Sequence, residues 1–303
     1  MDYKNILAFV IGIVILAYII LTLGIEKIVQ LILQIRMEFF VLAAIVYLIH
    51  EIVASYVLKV ALGGGLRIRR IVPAHMLGML YANATPGRVG YLYTALSLAK
   101  KTGSRRSAKI GIIALSQGLN FLSKTFLCLL AVIYFSAFIP SMGSQAYLLL
   151  VSVAPIIFLI GILIALYTKI VNKIIGKLSP RFLEYLESMQ AAVREVDKGR
   201  LARMLLLILL GWFIMSLQWF LVAASLGIDV GFLTVLMFQP LLTTIMFVPI
   251  SPSGLGLAEG GSALLFGIVN LDPAAGAAFL LLVRFNAILV DSLGLIDVRM
   301  HNG

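Results

Sequence analysis

The stretch Ala82–Leu96, ANATPGRVGYLYTAL, decides how the chain is read. Pro86 and Gly87 break an otherwise apolar run, and a full positive charge, Arg88, follows at once. Proline removes a backbone donor and restricts the residue before it, while glycine opens the left-handed region, so a helix ends here. The apolar region runs from about 71 to 100. Each half of it is too short to cross a ~30 Å hydrocarbon core alone. The pattern predicts a helical hairpin that enters and leaves a membrane on one side. Irregular backbone at such depth is tolerated only where it is buried in protein or lines a wet cavity.

The surroundings set the class. Of 303 residues, 62% are hydrophobic and only 12% charged, against roughly half apolar in a soluble domain. Apolar runs of about 20 residues recur, the length of a membrane-crossing helix. They are continuous rather than alternating, which excludes a transmembrane β-barrel and predicts an all-α polytopic membrane protein. The single cysteine, Cys128, offers no disulfide framework, and His50, His75 and His301 lack ligand spacing, so neither metal nor cofactor is expected. The first apolar run is too long for a signal peptide and reads as a retained helix. The net charge of +11 sits in a few loops, which fits the positive-inside rule and not nucleic-acid binding.

Six full spans are predicted, at about 5–24, 39–62, 110–138, 146–168, 204–226 and 273–298. A second broken region, 233–270, carries PISPSGLG (249–256) at its centre. The first hairpin is flanked by the basic stretches GGGLRIRR (63–70) and KKTGSRRSAK (100–109). The second is flanked by GIDVGF (227–232) and NLDPAAG (270–276), without lysine or arginine. Nineteen of the 24 basic residues fall on one side of this topology and only Lys27 and Arg36 on the other. That places both termini in the cytoplasm, with two hairpins entering from opposite faces. Segment 25–38 reads as an amphipathic interfacial helix, 180–200 as a polar inside helix, and PSMGSQ (140–145) as an outer link. The whole chain, 1–303, is one transmembrane domain with a basic cytoplasmic segment at 169–203.

The two breaks echo each other. A first unit, about 39–138, and a second, about 204–298, have the same order of parts: helix, Leu-Gly turn, half-helix, Pro-containing break, half-helix, long helix. Leu62-Gly63 aligns with Leu226-Gly227, and Thr85-Pro86 with Ser251-Pro252 about two residues out of register. In the predicted topology the units run oppositely, an inverted repeat of the kind secondary transporters use to build a site near the midplane.

Charges inside such spans are costly and mark function or mutual pairing. Glu51 lies in 39–62, Arg88 past the first break, Lys124 in 110–138, Glu259 past the second break, and Arg284 with Asp291 in the last span. Arg88, Lys124 and Arg284 form an expected phosphate cradle, with Glu51 and Glu259 as counter-ions or proton carriers and Asn83 and Asn120 as polar neighbours. Arg284 and Asp291, two turns apart on one face, form an expected structural or proton-relay pair. Helix N-termini near Gly87 and Gly254 would add anion-binding N–H groups. Pro86, Gly87, Gly90, Pro252, Gly254 and Gly256 shape the two breaks as gates. Nothing provides a catalytic residue: Ser251, Ser253 and Ser262 lack triad partners, and GGGL at 63–66 lacks a nucleotide-loop context.

TPGRVG, the basic KKTG after it, and VPISPSGLGLAEGG followed by LLLVRF resemble the flippase-like lysylphosphatidylglycerol synthase transmembrane region family, which includes the membrane part of the bacterial multiple peptide resistance factor. The resemblance spans nearly the whole chain. The second motif keeps Pro252, Gly254, Gly256, Glu259 and Arg284, and the first keeps Pro86, Gly87, Arg88 and Gly90. The family commonly continues the first motif with an acid and then an arginine. This chain has Tyr91, then Thr94 and Ala95, and carries Gln117, Gly118 and Asn120 where charges are usual.

The resemblance implies movement of phospholipid or lipid-linked sugar headgroups across a bilayer, without aminoacyl transfer. The expected function is thus a non-enzymatic, flippase-like transporter of an anionic phospholipid or a polyprenyl- or dolichyl-phosphate-linked lipid in the cell membrane. The alternatives are a proton-coupled transporter of a small anion and a non-transporting partner of a lipid-modifying enzyme.

Overall fold

A computed structural model describes residues 3–63, 65–102, 106–136 and 159–297, together with 138, 153, 156 and 157. Among these residues every regular element is a helix, and the one β feature is an isolated bridge between Pro86 and Pro252. In chain order the helices are α1 (Tyr3–Leu23), α2 (Ile25–Leu33), α3 (Met37–Ala61), α4 (Ile68–Asn83), α5 (Leu92–Thr102) and α6 (Arg106–Ser136). They continue with α7 (Leu159–Tyr167), α8 (Ile170–Leu178), α9 (Pro180–Arg194), α10 (Lys198–Ser225), α11 (Phe232–Ile245), α12 (Leu257–Ile268) and α13 (Pro273–Asp291).

Within α3, α6, α10 and the α13 region lie four stretches long and apolar enough to cross a membrane, and up to six crossings result if each bent pair, α1–α2 and α7–α8, counts as one. Those pairs bend by 90° and 75°. The start of the predicted 146–168 span and the outer link 140–145 lie outside the described residues; the end of that span is α7. The polar helix predicted over 180–200 stops at Arg194. Asp197 then N-caps α10 through the Arg200 N–H at 2.9 Å, so the next span starts at 198 rather than 204. Similar signals start α9, where Ser179 precedes Pro180, and α13, where Asp272 precedes Pro273.

The two broken regions are helical hairpins. Arms α4 and α5 have 16 and 11 residues, and α11 and α12 have 14 and 12. At 1.5 Å per residue these are about 17–24 Å long, short of a bilayer core. Small residues bring the arms of the first hairpin together. A Cβ on Gly90 would lie 2.4 Å from the Tyr81 carbonyl, and one on Gly78 would collide with the Thr94 hydroxyl. Close helix approach over small residues is the usual packing device in a membrane.

Helices α3 and α10 make the most extensive pair, with His50 Nδ1 3.0 Å from the Gly211 carbonyl. Helix α4 packs on α3, α5 and the end of α13, while α11 packs on α10, α12 and α6. The main core draws on both halves of the chain, with most of its residues from α10–α13. In it Phe135, Phe238, Phe266, Phe279 and Trp219 form a chain of rings with successive centroids 5.3–5.7 Å apart. The outer faces expose large apolar residues such as Ile133, Phe213 and Phe285, as helices surrounded by lipid do.

Candidate functional site

The hairpin tips meet. Pro86 and Pro252 form an antiparallel bridge, and Ser253 N–H donates to the Thr85 carbonyl at 3.3 Å. After each proline come two left-handed residues: Gly87 and Arg88 at φ 61° and 57°, Ser253 and Gly254 at φ 47° and 67°. Glycine takes this conformation freely, whereas arginine and serine take it at a cost that surrounding contacts must over-determine. Thr85 supplies part of that support on the first tip, since its hydroxyl accepts the Gly90 N–H at 2.8 Å.

The predicted charges divide into two groups. Arg284 reaches back to the second tip, with Nε 3.0 Å and Nη2 2.9 Å from Glu259 Oε1 and Nη1 3.3 Å from the Ser253 carbonyl. Glu259 also accepts the Gly256 N–H at 2.7 Å, and it is fully buried. This ion pair clamps α13 to the start of α12. The expected Arg284–Asp291 pair does not form. Glu259, third residue of α12, claims the guanidinium, while Asp291 accepts from Asn83 Nδ2 at 3.2 Å. The expected N-terminal anion sites at the tips are also taken. Glu259 fills the one near Gly254, and Thr85 and the local turn carbonyls use the N–H groups after Gly87.

Arg88 and Lys124 remain, and both face a cavity of about 430 Å³. Arg88 donates to Asn83 Oδ1 at 3.3 Å and lies over the Phe247 ring at 5.6 Å. Lys124 is 2% exposed. Its Nζ lies 4.3 Å from the centroid of Phe247, 5.1 Å from Phe121 and 5.8 Å from Trp212, with one long hydrogen bond, 3.4 Å, to the Thr243 carbonyl. The Phe247 ring therefore contacts both cations. Asn120 fixes Trp212 through its indole N–H at 3.0 Å. Each cation–π contact is worth up to ~2 kcal/mol when desolvated. Burying an ammonium costs several kcal/mol. Three ring contacts thus work against the desolvation cost of Lys124.

Helix α10 supplies Leu207, Ile208, Gly211 and Met215 to the remaining walls. Helix α4 contributes His75, Met79 and Ala82; α3 contributes His50 and Val57; α6 contributes Ser116 and Gln117; Tyr91 comes from the turn after the first tip. Among the described residues the lining holds no aspartate or glutamate. Glu51 lies behind it, fully buried, with Oε2 3.2 Å from His75 Nε2. Tyr91 hydroxyl lies 3.0 Å from His75 Nδ1. Sequence reasoning passed over His75, Phe247 and Trp212. The signal available for His75 was its i, i+4, i+7 alignment with Met79 and Ala82, which puts all three on one face of α4.

The fold and this site define a polytopic helical membrane protein with a basic, ring-lined cavity beside paired hairpin tips. Residues 5–293 match the family described as lysylphosphatidylglycerol synthase TM region, and the chain belongs to that family. Two curated relatives are UPF0104 membrane proteins. One, of Methanothermobacter thermautotrophicus, is 23% identical over 310 residues, covering 92% of this chain and 89% of its own. The other, of Methanocaldococcus jannaschii, is 23% identical over 210 residues, covering 68% and 87%. No solved structure matches the chain.

Proposed function

We propose that the chain carries a phosphate-bearing lipid headgroup across the membrane, with Arg88 and Lys124 as its ligands. One observation carries this. Two cations face one apolar, aromatic cavity with no carboxylate among its described lining residues, so the cavity accepts a negative charge and an apolar tail together. An anionic phospholipid and a polyprenyl- or dolichyl-phosphate-linked lipid both fit that description. A small soluble anion would leave most of the apolar wall unfilled.

The transport cycle rests on the six-span, two-hairpin inverted repeat with cytoplasmic termini. Its support is the matching of contacts: α3 pairs with α10, while α4 with the end of α13 mirrors α11 with α6. Equivalent Pro-αL-αL tips meet at the bridge. In this scheme Pro86, Gly87, Gly90, Pro252, Gly254 and Gly256 define gates that part to pass the headgroup. Membership of the family leaves room for a lipid-modifying enzyme as partner. The test is movement of fluorescent phosphatidylglycerol in proteoliposomes. Arg88→Gln and Lys124→Gln are expected to slow it at least tenfold. Wild-type rates in both would overturn the assignment.

A further inference from the structure

Glu51 and Glu259 are both buried carboxylates, and their surroundings differ. Glu259 accepts the Gly256 N–H at Oε2 and the Arg284 Nε–H at Oε1, with Arg284 Nη2 in ionic contact at 2.9 Å. Glu51 has no well-aligned hydrogen bond at either oxygen, and neither has His75 Nε2, 3.2 Å from Oε2. A carboxylate held for structure is surrounded by fixed donors, because an unsatisfied buried charge is expensive. Glu51 instead faces the Tyr47 hydroxyl and one imidazole, that of His75, whose other nitrogen contacts Tyr91, and both His75 and Tyr91 line the cavity. Imidazole bridges the cavity and the buried acid through its two distinct nitrogens.

We propose that Tyr91, His75 and Glu51 form a proton relay, and that anion binding in the cavity is coupled to proton uptake at Glu51. The inference rests on the anion-binding reading of the cavity. The proton balance closes. A proton from cavity water arrives, by way of the Tyr91 hydroxyl, at His75 Nδ1, and the proton on Nε2 passes to Glu51 Oε2. What remains is a neutral acid and a neutral imidazole of the other tautomer. Return of the proton along the same path, with the Tyr91 hydroxyl rotating, resets the relay.

The groups around Glu51 explain why this affects the anion. Tyr47 on its own helix sits beside both Glu51 and Asp291, and Arg88 from the first tip feels both carboxylates. Asp291 is held by Asn83. His50, one residue from Glu51, is engaged by the Gly211 carbonyl. Neutralising Glu51 removes one of the two negative charges that offset Arg88, so the Arg88 field at the cavity rises as the proton loads. Proton and anion then bind together and leave together.

The test uses the full chain in detergent and weak buffer, with a pH indicator and two probes, dihexanoyl-phosphatidylglycerol and inorganic phosphate. Wild type is expected to take up about one proton per bound anion, and its affinity is expected to rise as pH falls, approaching tenfold per pH unit. The isosteric Glu51→Gln is expected to abolish proton uptake and flatten that pH dependence, and Tyr91→Phe to slow uptake. An infrared carboxylic-acid band that titrates in wild type and is missing in Glu51→Gln is expected as well. Binding without proton uptake, or unchanged uptake in Glu51→Gln, overturns the relay and leaves the cavity intact. Binding of neither probe overturns the cavity reading and the coupling together. Preference for the lipid over phosphate identifies the headgroup as the source of the anion, and the reverse order identifies free phosphate; either order with proton uptake supports the coupling.

Discussion

Replacing Arg284 by methionine should damage the protein through its fold. The Arg284–Glu259 contact at 2.9 Å corresponds to about 6 kcal/mol of attraction at an effective dielectric constant of ~20. Desolvating two ions costs several kcal/mol each, so the intact pair is close to neutral relative to apolar packing. Breaking it is another matter. Arg284→Met leaves Glu259, fully buried, with the Gly256 N–H alone, and an uncompensated buried charge costs about 3–5 kcal/mol. Glu259→Gln should cost a similar amount, because Arg284 loses its countercharge and the amide offers one acceptor oxygen where Glu259 offers two, to Gly256 and to Arg284. The double variant Glu259→Gln/Arg284→Met should recover part of the loss, with a coupling of about 0.5–3 kcal/mol. Unfolding of the four proteins in one detergent, followed by denaturant or heat, measures the cycle. Additive losses would refute the clamp. So would single variants of wild-type stability that no longer move lipid, because that outcome restores Glu259 and Arg284 to the transport site.

Gly90→Ala is expected to displace the first hairpin and lower both stability and yield, since its Cβ would lie 2.4 Å from Tyr81 backbone atoms; Gly65→Ala, with nothing within 4 Å, should behave as wild type in the same thermal scan. Residues directly opposite in an antiparallel bridge have Cα atoms about 4.5–5.5 Å apart, within disulfide reach. Pro86→Cys/Pro252→Cys in a Cys128→Ala background should therefore cross-link on oxidation, stop lipid movement, and recover on reduction. Asp197 has its carboxyl held below the usual value of 3.8 by the Arg200 N–H and guanidinium. Its contribution to stability is present above that value and lost as pH falls further, so Asp197→Ala should be less stable than wild type near neutrality and converge with it in strong acid.

Much of this was legible in the chain itself. The length of the apolar runs and the Pro-Gly and Pro-Ser breaks marked the hairpins, because bilayer thickness and proline chemistry are local constraints. The caps at Asp197 and Asp272 were equally local, although the start of α10 required recognising Asp197 as its N-cap. Partnering within the buried charges was not legible. Arg284 and Asp291 share a helix face, and only the tertiary approach of α12 brings Glu259 to the guanidinium first. The cavity itself depends on Phe247, a residue of the second break whose ring contacts two cations of the first half. No spacing in the sequence encodes that contact.

The two halves of the chain use their buried groups differently. The second packs rings in its interior and pairs Arg284 with Glu259 at the hairpin. The first keeps two cations, an open cavity and a loosely held acid behind it. Tyr91 follows the first tip, and its hydroxyl meets His75. In the proposed cycle it stands between the cavity and Glu51, where it would pass a proton without placing a fixed negative charge beside Arg88. The tips themselves meet through few bonds: neither proline of the bridge has an N–H to give, and the hydrogen bond from Ser253 to the Thr85 carbonyl carries much of the contact. Elsewhere the halves are held firmly, by α3 on α10 and α6 on α11, so the gates of the proposed cycle would part at the tips while those helix pairs stay together.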